Sequence, residues 1–220
     1  MITILSEIEN VPDIEDPLHK SIFEKAEPYL RTRHNVIHTV ISYWYAMHLL
    51  SVEGGARSIV APAILLHDVG WSTLSEERQL LAFGPVVKEP DLRRQHEIEG
   101  ARLAGSILRR LQYPEDLTGK IELIIDGHDS RAEAIDIDDM IVKDSDKLFR
   151  FSRIGFGIYF KVFEREPASY LSWLSRVTEK WFFTATALRL AREQAAKREE
   201  DLVSKLYETA VWPFCRCENR

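Results

Sequence analysis

The chain has 220 residues, of which 45% are hydrophobic, and this favours a single large domain with a substantial core over two small ones. The 29 Lys and Arg residues against 35 Asp and Glu residues give a formal charge of −6, and no basic run interleaved with aromatic residues occurs. A nucleic-acid-binding surface is therefore not indicated. No apolar run approaches the roughly 18 residues of a membrane span, and the acidic N-terminal stretch does not resemble a leader, so we expect a cytoplasmic protein.

Helical periodicity dominates the sequence, and no run shows the clean alternation of a strand. Glycine and proline lie where helices are expected to end, for example Gly54, Gly70, Pro114 and Gly127. In chain order, the predicted helices span residues 17–30, 35–52, 56–68, 91–111, 117–127 and 137–151.

The C-terminal part, residues 169–210, contains no proline or glycine and predicts one or two long helices. Its polar half is typical of a solvated face with charge pairs. The two cysteines, Cys215 and Cys217, lack the second pair that a structural zinc site needs, so we interpret them as part of a reduced tail. The sequence thus predicts an all-α, single-domain helical bundle over residues 1–220, with a motif core at about 31–151 and a C-terminal extension at 169–210.

The stretch APAILLHDVGW, residues 61–71, places His67 and Asp68 side by side at the end of an apolar segment. A carboxylate taken out of water without a partner costs several kcal/mol, so this dyad should face a cation. Other histidines and aspartates lie in or beside further predicted helices: His38, His96, His128 and Asp146. Imidazole and carboxylate together suit zinc, manganese or iron, and neighbouring helices can direct them to a common point.

Each of these residues also has a simpler explanation when it is taken alone. His67 could interact with the last carbonyls of its helix. His96, at the start of its predicted helix, could be a surface residue, and His128 could lie in a solvated turn. Asp146 could form only a surface ion pair with Lys147. So many separate coincidences are harder to accept than one shared site.

The order of these residues resembles the signature of the HD-domain superfamily of metal-dependent phosphohydrolases: a histidine, a His-Asp dyad and a distal aspartate. HTVISYWYAMHLLSVEGGA resembles the first motif helix, AILLHDVG the dyad helix and VKDSDKLFR the final motif. HEIEGARLAGSILRRLQYPEDL and IIDGH resemble two additional histidine motifs of members that can hold two metals. The resemblance spans about residues 33–150.

The resemblance implies one or two divalent transition-metal ions (Fe, Mn, Zn, Ni or Co). The first ion would be held by His38, His67, Asp68 and Asp146. A second would be held by His96 and His128, with Asp68 as the bridge and with His67 and Asp68 at the catalytic centre. His38 matches the first motif better than His34, and Asp146 matches the last one better than Asp144.

The chain departs from the family after the dyad, where many members have a lysine that can contact the substrate phosphate. This chain has Trp71 there, so an apolar or aromatic contact with the substrate becomes an alternative. Cationic residues near the motifs could bind a phosphate instead, although each is more often an ordinary surface residue. These candidates are Arg31, Arg33, Lys88 and Arg131.

The leading prediction is a metal-dependent phosphohydrolase that cleaves a small phosphomonoester or phosphodiester, nucleotides included, with a metal-activated water. Two alternatives stay open: a diiron oxygenase of the HD type, and a catalytically silent ligand-binding module. The expected partner is a small phosphorylated substrate, with a homodimer left open and neither nucleic acid nor membrane expected.

Overall fold

The computed structural model describes residues 13–204, and this part of the chain consists of helices and connecting turns without a β-strand. The all-α prediction is confirmed. The α-helices are α1 (Pro17–Leu30), α2 (Asn35–Glu53), α3 (Arg57–Leu66), α4 (Glu76–Gln79), α5 (Pro90–Arg110), α6 (Glu115–Ile125), α7 (Ile137–Leu148), α8 (Arg153–Val162), α9 (Pro167–Trp181) and α10 (Ala185–Val203). Short 3₁₀ segments follow α3 at Val69–Thr73 and α7 at Phe149–Phe151.

Helix α1 begins where its local sequence specifies. The Asp16 side chain accepts hydrogen bonds from the backbone N–H groups of Leu18 and His19, at 3.0 and 3.2 Å, and Pro17 occupies the first helical position. Both features satisfy or remove donors that a helix start otherwise leaves without partners. The observed range of α1 therefore equals the predicted one.

Helices α2, α3 and α7 pack against one another at the centre of the described residues. Every residue of α3 from Ile59 to Leu66 is buried, as expected for a helix that is apolar all round. Helix α2 is buried on all sides from His38 to Tyr43, and its later turns bury Tyr45, Ala46 and Leu49. The His67–Asp68 dyad follows directly on the buried helix α3 and faces α2.

The turn after the dyad packs closely on α5. A Cβ atom at Gly70 would overlap the backbone carbonyl oxygen of His96 and the backbone of Gly100. Only glycine allows this approach. It explains why the apolar segment ends at Val69–Gly70, and it brings the dyad next to the second turn of α5.

The C-terminal region forms a helical hairpin of α9 and α10 rather than one continuous helix. Thr184 caps α10, since its Oγ1 accepts from the N–H of Ala187 at 3.2 Å. The hairpin also joins α2, because Glu53 Oε1 accepts from the N–H of Thr186 at 3.0 Å. The prediction for 205–210 and for Cys215 and Cys217 falls outside the described residues.

Helix α8 and the short α4 were not predicted. The single-domain organisation over residues 1–220 stays a prediction. Among the helices within residues 13–204, none has the length and apolarity needed to cross a membrane.

Candidate metal centre

Four side chains from α2, the end of α3 and α7 meet in the interior. The Nε2 atoms of His38 and His67 lie 3.0 Å apart. Asp146 Oδ1 is 3.2 Å from the first of these nitrogens and 3.7 Å from the second. Asp68 places Oδ2 3.4 Å from His38 Nε2 and Oδ1 3.5 Å from His67 Nε2. All four side chains are buried, so two imidazoles and two carboxylates converge without bulk water between them.

A second group adjoins the first and shares Asp68 with it. The Nε2 atoms of His96, on α5, and His128, after α6, lie 3.4 Å apart. Asp68 Oδ1 is 4.0 and 3.8 Å from these two nitrogens. Asp129 places Oδ2 at 3.8 and 4.0 Å from the same pair, and its side chain is 23% exposed. The second group is thus open on the Asp129 side.

The potential ligand atoms of both groups are oriented to bind a cation. His67 Nδ1 donates to the carbonyl oxygen of Ile64 at 2.8 Å, and His128 Nδ1 donates to that of Ile125 at 2.9 Å. A carbonyl can only accept, so these bonds place the ring hydrogen on Nδ1 and leave a lone pair on each Nε2 of the neutral ring. Each of these lone pairs faces a nitrogen of a second imidazole, His38 at 3.0 Å or His96 at 3.4 Å, so a proton or a metal must lie between the two rings. The residues present therefore fit a metal.

The electrostatics of the cluster favour ionised carboxylates. Burial alone would raise the pKa of Asp68, but the charge of His67 and a hydrogen bond from His128 outweigh it, and this pKa lies well below its usual range. Asp146 is also depressed in pKa, because hydrogen bonds from His38 and His67 outweigh its burial. Anionic carboxylates are the form that binds metal.

The two histidines of the second group shift in opposite directions. Burial and the charge of His128 lower the pKa of His96 to about 4. Burial opposes protonation of His128 too, but the hydrogen bond with Asp68 and the charges of Asp129 and Glu97 raise its pKa to about 9. One positive charge is therefore favoured in this group, and a metal ion could take the place of the proton.

Trp71 lies inside the site rather than at its surface. Its ring stacks on that of His96, with centroids 3.7 Å apart and planes 9° from parallel. Its Nε1–H donates to Asp68 Oδ1 at 2.9 Å. Trp71 thus contacts two of the candidate ligands, and its role as a substrate contact stays a prediction.

Two buried charged residues hold the loop that carries His128 and Asp129. Lys143 Nζ donates to the carbonyl oxygens of Gly127, Arg131 and His128 at 2.7, 2.9 and 3.3 Å. Glu97 supports the same loop from α5, since its Oε1 accepts from the N–H groups of residues 129 and 130 at 2.8 and 2.7 Å. Sequence reasoning missed both residues. The adjacency of Glu97 to His96 was the one available signal.

The four cationic candidates differ in their positions. Arg33 lies beside the site, with its guanidinium over the rings of Trp71 and Phe83 at 5.0 and 4.4 Å. Arg131 donates to Asp139 Oδ2 at 3.2 Å and to backbone carbonyls at the end of α6. Lys88 is exposed in the loop before α5, and Arg31 is exposed and paired with Glu27. The structure therefore places one of the four, Arg33, next to the candidate ligands.

The structure distinguishes His38 and Asp146, which lie in the cluster, from the alternative motif residues His34 and Asp144. Asp144 does not face the cluster, because it accepts hydrogen bonds from the N–H groups of Phe183 and Thr184 at 2.9 and 2.8 Å. His34 is a half-buried residue at the N-terminus of α2.

His96 lies in the second turn of α5 rather than at its start, and His128 is buried rather than in a solvated turn.

Comparison with protein families agrees with this geometry. The family model described as HD domain matches residues 35–150, which is more than half of the chain. The chain therefore belongs to the HD-domain family, whose members are usually metal-dependent phosphohydrolases, although some are not catalytic. The searches of curated proteins and of solved structures found no match.

Proposed function

We propose that this protein is a metal-dependent phosphohydrolase that cleaves a small phosphorylated ester. The observation that carries the proposal is the 3.0 Å separation of two imidazole Nε2 atoms, His38 and His67, within a buried set that also contains two anionic carboxylates. Such a set is unfavourable without a cation. Family membership supports the same chemistry.

We infer two metal positions that share Asp68. Two groups of ligand atoms lie close enough to hold an ion: His38, His67 and Asp68, and then Asp68, His96 and His128. Asp146 completes the first group, and Asp129 offers a further oxygen near the second. Mixed imidazole and carboxylate ligands suit Fe, Mn, Zn, Ni or Co.

A divalent ion in this site would polarise a phosphoryl oxygen and make a water molecule acidic enough to attack phosphorus near neutral pH. The chain supplies the surroundings for this chemistry. Trp71 fixes the direction of one Asp68 oxygen, and the carbonyls of Ile64 and Ile125 fix the two histidine rings. Burial of the ligands excludes bulk water, which strengthens the electrostatic interactions inside the site.

Substitution of Asp68 by alanine tests the proposal, because this residue belongs to both groups. The full chain, purified without chelator, is analysed for metal content and assayed for phosphate release from nucleotides and generic phosphoesters. We expect Asp68→Ala to lose metal and phosphate release together. Asp116→Ala, at an exposed position of α6, is the matched control and should retain both. Unchanged metal content and turnover in Asp68→Ala would refute the assignment.

The same ligand set also suits an iron pair, so the oxygenase alternative is tested with the same preparation. A mixed-valent iron pair with oxygen uptake would favour oxidation of an organic substrate. Activity that depends on Mn, Mg, Co or Ni and releases phosphate would favour hydrolysis.

A further inference from the structure

A pocket of about 110 Å³ lies directly beside the candidate metal centre. The carboxylates of Asp129 and Asp146 line it, and so do three cationic side chains, Arg93, Lys147 and Arg150. Within residues 13–204, none of these three cations forms an ion pair with a carboxylate. The pocket therefore places cationic side chains that form no direct ion pair with the described residues beside candidate ligand carboxylates. Burial lowers the pKa of Arg150, but the charges of Tyr159, Tyr170, Asp146 and Asp129 raise it above its usual range.

Arg150 is packed between aromatic rings and forms no direct ion pair with the described carboxylates. Its guanidinium lies over Tyr159 at 4.5 Å, Phe83 at 5.7 Å and Trp181 at 5.9 Å. Aromatic faces stabilise the cation but do not accept its N–H groups as an oxygen does. Its Nη1 atom is buried and makes no well-aligned hydrogen bond to the described residues, although Arg150 also interacts with the buried Tyr170 hydroxyl, whose pKa is raised by burial and lowered by this arginine. A buried charged donor in this state favours an anionic acceptor.

Arg33 adds a second positive charge on the same aromatic ring, since its guanidinium lies 4.4 Å from the centroid of Phe83. Its Nε donates to the neutral side chain of Gln79. Burial lowers the pKa of Arg33, and the charge of Arg150 lowers it further against the attraction of Tyr159 and Asp68. Arg33 does not line the pocket itself, but it contacts Phe83, which does, and an anion bound beside Arg150 would reduce the repulsion between the two guanidinium groups.

We propose that Arg150 binds the phosphate of the substrate and that the substrate is a phosphomonoester; this rests on the proposed hydrolysis. A monoester has three terminal oxygens, so two can face the metal groups while the third accepts from Arg150. A diester has only two. Hydrolysis forms one P–O bond to water and breaks the ester P–O bond, which releases an alcohol and inorganic phosphate. Inorganic phosphate should therefore bind at the same place.

Helix α9 contributes to the wall of this pocket. Trp173 and Trp181, both on α9, line the pocket together with the candidate ligand carboxylates. They lie outside residues 35–150, the part that matches the family model. Part of the pocket wall is thus supplied by residues outside the range that matches the family model.

Calorimetric titration of inorganic phosphate into the Mn²⁺-loaded full chain tests the assignment. We expect Arg150→Met to weaken phosphate binding by about 10- to 100-fold, the range typical of a charged hydrogen bond. Arg150→Lys keeps the charge but not the planar arrangement of donors, and its phosphate affinity should lie between those of the wild type and Arg150→Met. Arg176→Met, exposed on α9, is the matched control and should bind phosphate as the wild type does. Manganese content should be equal in all four proteins.

Phosphate binding within about twofold of the wild type in Arg150→Met, or no binding by the wild type at millimolar phosphate, would overturn the proposal. If Arg150→Met does not fold, Arg150→Lys decides, and wild-type affinity in that variant would overturn it. Phenyl phosphate should compete with inorganic phosphate and diphenyl phosphate should not; equal competition would remove the monoester assignment. If phosphate binds through Arg150 but no ester is hydrolysed, the proposed hydrolysis fails and the anion site stands.

Discussion

Trp71→Phe tests whether the indole positions Asp68 for metal binding. The variant keeps an aromatic ring beside His96 but removes the Nε1–H that donates to Asp68 Oδ1 at 2.9 Å. Both residues are buried, and a hydrogen bond to a charged acceptor contributes about 1.5–3 kcal/mol. At about 1.4 kcal/mol per factor of ten, we expect metal affinity to fall by about 10- to 100-fold.

The affinity is measured by titrating metal-free protein with Zn²⁺ or Mn²⁺ in competition with a chromophoric chelator. Tyr113→Phe is the matched control, because it removes an aromatic donor whose partner is the carbonyl oxygen of Ser58, at 2.6 Å. That variant should bind metal as the wild type does. If Trp71→Phe also binds metal within about twofold of the wild type, the indole does not act through Asp68 and the reasoning is refuted.

Four further substitutions distinguish effects on the number of bound metal ions from effects on stability. His96→Ala and His128→Ala should each reduce the saturating metal content from two ions to one, because the first group keeps its ligands. Loss of the second ion should lower turnover by orders of magnitude. A wild type that saturates at one ion would contradict this prediction. Gly70→Ala should destabilise the fold by about 1–3 kcal/mol through overlap with the backbone of α5, seen as a lower Tm, and an unchanged Tm would show that the turn relaxes freely. Asp144→Ala should lower the free energy of unfolding by about 2–5 kcal/mol, because three hydrogen bonds to Phe183 and Thr184 are lost. The metal affinity should stay within about twofold of the wild type. Weaker metal binding at an unchanged Tm would contradict this prediction.

The elements that could be predicted from the sequence are those with local signals. Helix α1 has its cap at Asp16 and a proline behind it, and α3 is apolar throughout. Helix α8 also has a cap, since the Ser152 hydroxyl accepts from the N–H of Gly155 at 3.0 Å, but its sequence RIGFGIYFKV contains two glycines and several aromatic residues, which weaken the helical signal. Its stability comes from burial of Phe156, Tyr159 and Phe160 against distant parts of the chain, which no local pattern reveals.

The candidate site likewise contains residues that the sequence could identify and residues whose roles it could not. Histidine and aspartate at motif spacing identify a candidate ligand set, because ligand type and order are visible in one dimension. The roles of Trp71, Lys143 and Arg150 depend on partners that folding brings together. Lys143, for example, binds carbonyl oxygens 12–16 positions earlier in the chain, and nothing in its own neighbourhood distinguishes it from a surface lysine.

Helix α7 links the motif core to the C-terminal hairpin through two aspartates that point in different directions. Asp146 faces the histidines, while Asp144 accepts from the backbone where α9 gives way to α10. A fragment that stops at residue 150 would keep all the candidate ligands but leave Asp144 buried without these donors, or expose it to solvent. It would also strip Arg150 of two of its aromatic neighbours. Chimeras that exchange C-terminal helices between HD-domain proteins would therefore need to preserve the hydrogen bonds between Asp144 and residues 183 and 184 as well as the ligands. A junction at residue 150 places the two partners of these hydrogen bonds in different parents.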